Sequence, residues 1–129
     1  MRSAPDWWRR AVRALRTAEL LSGHDPDACV SRAYYAAFYA VTALMALEER
    51  SFSSHHALRI AVHRDLVRAG RWTSAEGEAF DWLSAVRHTG DYGGAASVDT
   101  DDARMAFSKA RSILDAALRA SHGQLPEIE

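Results

Sequence analysis

The fifteen residues from Ala33 to Leu47, AYYAAFYAVTALMAL, carry no charge. The run is short for a bilayer span, which needs about 20 apolar residues, and it contains three tyrosines and a threonine. On a helix it is apolar or aromatic all round, so it needs partners on several sides. In a monomer it is expected to be the central helix of a bundle. In a dimer it would also help line the interface. With 129 residues the chain suits one domain, large enough to fold alone. Abundant alanine and sparse proline and glycine lean the same way, towards helix.

Four further helices follow from periodicity and caps. The first spans about Pro5 to Ser22, with Trp8, Val12 and Leu15 at helical spacing and arginines on the other face; Gly23 stops it. Asp25-Pro26 reads as an N-cap followed by proline at the first helical position. That starts the central helix, which is expected to run to about Glu49. Ser53 or Ser54 caps the third helix, which ends at Gly70 and carries Leu58, Ala61, Val62, Leu66 and Ala69 inward. Thr73-Ser-Ala-Glu76 has capping-box spacing and opens the fourth, built on Phe80 and Leu83 and ending at Gly90. Asp99 or Thr100 caps the fifth, whose stripe runs from Ala103 to Leu118. The expected organisation is a single domain over 1–129 with a core of about 5–122 and a frayed tail at 123–129.

Charge places few limits on the ligand. The net charge is -1 with histidine neutral, so no global basic field demands nucleic acid, although Arg9, Arg10, Arg13 and Arg16 crowd the first helix. One cysteine, Cys29, leaves no internal disulfide and no thiolate metal cluster. Together with the lack of an apolar signal core after Met1, it fits a cytoplasmic protein with no membrane partner. There is no phosphate-binding glycine loop, no nucleophile elbow and no paired-carboxylate pattern on one helix.

Chemistry concentrates in Arg87-His88-Thr89-Gly90-Asp91-Tyr92-Gly93-Gly94. Arg87 falls four residues after Leu83 and seven after Phe80, on the side of the buried stripe. An arginine there needs a partner or a cleft, and a guanidinium suits a phosphate. Alternatively, Arg87 and Asp91 form a local i,i+4 ion pair and Tyr92 packs on the core. His55, His56 and His63 match no standard zinc spacing, so neither a metal nor a cofactor is expected. His56 and Arg59 share a face of the third helix. Tyr34, Tyr35, Phe38 and Tyr39 form a cluster suited to core, subunit interface or base stacking.

Three stretches in series resemble the HEPN family, in particular its small stand-alone bacterial and archaeal branch: SRAYYAAFYAVTALM from Ser31, SHHALRIAVHRDLVRAGRW from Ser54, and VRHTGDYGG from Val86. The likeness covers about Ala11 to Leu118. It implies an all-α, up-and-down bundle of four or five helices that usually dimerises. In catalytic members, arginine-to-histidine motifs from two copies meet at the interface and cleave RNA without metal. The arginine supports the phosphate, and the histidine helps activate the ribose 2′-hydroxyl. Arg87 and His88 match the motif's arginine and polar follower, but Tyr92 stands where the histidine belongs, and a phenol is a poor base at neutral pH. Other members pair with a minimal nucleotidyltransferase, often as toxin and antitoxin.

The leading expectation is therefore a homodimer binding RNA or nucleotide at a cleft. The candidate catalytic residues are Arg87, His88, Asp91 and Tyr92. The candidate binding residues are Arg87, Tyr92, His56, Arg59 and Tyr35. A nucleotidyltransferase is the expected partner, and metal-independent RNA cleavage stays open. The alternatives are a non-catalytic docking subunit of a two-component nucleotidyltransferase, and a helical adaptor with a structural Arg87–Asp91 pair.

Overall fold

A computed structural model describes residues 2–92 and 98–128; the side chain of Tyr92 is outside that set. Its described residues form five α-helices and no strand: α1 (Ala4–Leu21), α2 (Pro26–Ala46), α3 (His55–Ala61), α4 (Ser74–Tyr92) and α5 (Thr100–Ala120). A π-helical turn, Val62–Val67, continues α3. Among the described residues no helix is long and apolar enough to cross a membrane.

The uncharged run behaves as its composition requires. Helix α2 packs against α1, α3, α4 and α5, and Ala33, Tyr34, Ala37, Ala40, Val41 and Leu44 are buried. The small alanines let neighbouring helices approach closely, and Trp8, Phe80, Leu83, Ile113 and Leu114 fill the space around them. One stripe of α2 stays incompletely covered: Tyr35, Phe38, Tyr39, Thr42 and Ala46 are all half-buried.

Most boundaries follow local chemistry. The Asp25 side chain accepts from the Ala28 N–H, Ser54 caps α3, and Asp99 and Asp102 form a capping box on α5. Thr73 and Glu76 exchange the same reciprocal bonds at the start of α4. Four boundaries differ from expectation. Helix α2 ends at Ala46, with Glu49 in a left-handed conformation just beyond. The third helix does not run unbroken to Gly70: it widens into the π turn, and Ala69 is exposed. Gly90 lies within α4, which extends to Tyr92. The residues after Gly123, expected to fray, include a buried Leu125. The Trp8 indole Nε1 donates to the Pro126 carbonyl at 2.9 Å and ties them down.

Candidate functional site

The C-terminal half of α4 puts Arg87 on the side facing α2, as the spacing from Phe80 and Leu83 requires. The guanidinium reaches back over α2, 5.1 Å from the ring centre of Tyr34 and 5.3 Å from that of Tyr35. Its Nε donates to Asp91 Oδ2 at 3.1 Å and its Nη2 to the Tyr35 hydroxyl at 3.3 Å. A flat, weakly hydrated cation lying on two π faces keeps its rim of N–H donors available in the ring plane. The Arg87 side chain retains 19% of its exposure and that of Asp91 28%. Arg87 is thus half-buried and Asp91 exposed, and the pair is reachable from solvent.

His55, the first residue of α3, completes the cluster. Its Nδ1 shares a 3.0 Å hydrogen bond with the Tyr34 hydroxyl, and its ring lies 4.3 Å from that of Phe38. Burial pushes the Tyr34 phenol up to about 12, against the opposing pull of the Arg87 charge. Partial burial, and then the Arg87 charge, lower the His55 imidazole below its ordinary 6.5. Both groups are therefore neutral at pH 7.

The aromatic surface continues along α2 away from Arg87. Tyr35 and Tyr39 are 5.7 Å apart, and Trp7 of α1 stacks on Tyr39 at 5.7 Å. Arginines lie over these rings: Arg32 over Tyr35 at 5.2 Å and Arg10 over Tyr39 at 4.9 Å.

The HEPN domain profile matches residues 4–120, nearly the whole bundle. The chain belongs to the HEPN family. A relative from Thermotoga maritima, named UPF0332 protein, is 34% identical over 111 residues, covering 85% of this chain and 84% of the relative.

Within this HEPN bundle Arg87, Asp91 and Tyr35 are in direct contact. His88 is exposed on α4 and His56 on the first turn of α3. The Tyr92 side chain lies outside the described residues. Arg59 donates from Nε to Asp81 Oδ1 at 2.8 Å, while its charge still acts on Tyr34. Sequence reasoning missed the place of His55 in the Arg87 cluster, which depends on how α3 docks against α2. It also put the arginines of the first helix on its outer face, whereas Arg10 folds over Tyr39. The usable signal was the spacing of Trp7 and Arg10, three apart and hence neighbours on one helix surface.

Proposed function

We propose that this HEPN protein binds RNA or a nucleotide through the phosphate, at the cluster of Arg87, Asp91, Tyr35 and His55. One observation carries the reading: the Arg87 guanidinium lies on two aromatic rings, held by a single carboxylate and a phenol, and is not sealed from solvent. A phosphate arriving there competes with one partly exposed carboxylate and gains forked, charge-assisted hydrogen bonds. The half-buried rings of Tyr35, Phe38 and Tyr39 beside it offer faces for a base. His88, His56 and Arg59 belong to the rim in this reading, with Tyr92 following directly in the chain.

The family relationship supports a homodimer, in which the two Arg87 clusters would open onto one cleft. Light scattering should give twice the chain mass; a monomer would remove the shared cleft. A small nucleotidyltransferase, in a toxin–antitoxin-like pair, is the proposed partner and should co-purify. Titration with uridine 5′-monophosphate tests the site itself. The wild type should bind it and Arg87→Ala should not; equal binding by both removes Arg87 from the site.

RNA cleavage is a second reading, favoured by His55. With Nδ1–H donating to the Tyr34 oxygen, Nε2 keeps its lone pair. It could take the proton of a ribose 2′-hydroxyl as that oxygen attacks phosphorus and the bond from phosphorus to the 5′-oxygen breaks, leaving a 2′,3′-cyclic phosphate and a 5′-hydroxyl whose proton comes from water. Labelled RNA incubated with chelator should then be cut by wild type and left intact by His55→Gln. If cleavage fails while UMP binding persists, the docking-subunit alternative stands.

A further inference from the structure

A groove of about 510 Å3 runs between α1 and α2 on the flank of the aromatic stripe. Arg2, Arg9, Arg10, Arg13 and Arg32 line it, and Asp6 is the one acid among its lining residues. Asp6 is already committed, to the Ser3 cap and to Arg9. The chain as a whole is close to neutral, so this concentration of cations is local. Within α1, Arg9 to Arg13 spans roughly 6 Å at 1.5 Å per residue, and Arg10 over Tyr39, Arg32 over Tyr35 and Arg87 over Tyr35 carry the cations on across α2, a line of charge and not a point.

We propose that this groove binds the sugar-phosphate backbone of a single RNA strand that continues to the Arg87 cluster. The identity of the ligand rests on the RNA reading above. Two features favour a strand over a free nucleotide. The charge is linear, and the groove shares its floor with the stacking surface. Arg10 and Arg32 lie over Tyr39 and Tyr35, and Arg87 also lies over Tyr35. Arginines stacked on half-buried rings form a surface that takes unpaired bases. A duplex keeps its bases stacked inside and would leave those rings unused.

The test is fluorescence anisotropy of a labelled 12-residue oligouridylate with the full chain, over 50–200 mM salt. Arg9→Gln/Arg13→Gln changes two exposed arginines that do not touch the Arg87 cluster. It should lower the salt slope by about 1.4, at ~0.7 per lost phosphate contact on a single strand, and weaken binding on the order of tenfold near 0.1 M salt. Its UMP binding should equal that of wild type. A wild-type slope and affinity in the double variant would overturn the proposal. So would polyglutamate binding to wild type with an affinity lost in the variant while the oligouridylate binds both alike, which would assign the groove to an acidic protein segment. Should Arg87→Ala keep UMP binding while the double variant loses the slope, the Arg87 reading falls and the groove stands. The reverse pattern, with Arg87→Ala losing UMP and the double variant unchanged, removes the groove alone.

Discussion

Helix α4 carries two clusters of the same composition, an arginine, an aspartate and a histidine, and they differ in what lies beneath the cation. At mid-helix, Asp81 takes both Arg59 Nε at 2.8 Å and His63 Nε2 at 2.9 Å, and about half of the Arg59 side chain faces water. At the C-terminal end, Arg87 has a side chain of 19% exposure resting on Tyr34 and Tyr35, with Asp91 on one edge. In the first cluster one carboxylate serves two bases in a wet setting, where ion pairs contribute little. In the second, the cation is half withdrawn from water and its interactions are correspondingly stronger. Residue types alone do not separate the two clusters; the underlying rings and their burial do.

The largest expected effect is on stability. Tyr34 is 2% exposed, so Tyr34→Ala should cost about 3–5 kcal/mol, as large aromatic truncations in cores do, and lower Tm by on the order of 10 °C or more. Asp81→Ala in the other cluster should cost under about 1 kcal/mol. Denaturant melts of both variants check the contrast, and similar losses would erase it. Next comes binding. Arg87→Ala should weaken UMP by roughly 10- to 100-fold, corresponding to the 1.5–3 kcal/mol typical of hydrogen bonds to a charged group. Arg59→Ala, whose guanidinium is already engaged by Asp81, should change it by less than about threefold. Equal losses would make Arg59 a full member of the site and break the division between the clusters.

Much of the bundle was legible because its signals are local. Caps at Asp25, Ser54, Thr73 and Asp99 act within one turn. The uncharged run announced a helix covered on several sides. The side on which Arg87 sits followed from its spacing to Leu83 and Phe80. What escaped depends on distant contacts. VHRDLV contains no breaker, yet it forms a π turn where α4 comes close: a Cβ on Gly77 would stand 2.7 Å from Val67 and 3.2 Å from His63. The bond from Trp8 to Pro126 joins residues 118 apart, beyond any local window. His55 escaped for the same reason, because the adjacent serines explain it as part of a cap, and only the docking of α3 on Phe38 brings it beside Arg87.

The smallest effect, and the most discriminating, belongs to the His55 proton. The folded-state pKa of His55 is lowered from 6.5 by burial and by the Arg87 charge. Between that lowered value and 6.5 the unfolded chain binds more protons than the folded one, so stability rises with pH through this window. Its contribution is fully present above about 6.5, is lost as pH falls towards the lower folded value, and does not change further below it. Thermal melts from pH 7.5 to 5 should therefore decline on the acid side in wild type and decline less in His55→Gln. UMP affinity of wild type relative to His55→Gln should run the other way, because a protonated imidazole beside Arg87 adds a second cation to the site, whereas titration of the UMP phosphate, with a second pKa of about 6, is common to both proteins. Bound UMP should accordingly raise the His55 pKa and flatten the stability decline. Opposite trends of Tm and UMP affinity with pH, each taken as wild type relative to His55→Gln, would tie His55 to the Arg87 cluster and set that cluster apart from the one around Asp81. Parallel trends, or trends that the substitution leaves unchanged, would break the link between His55 and the phosphate.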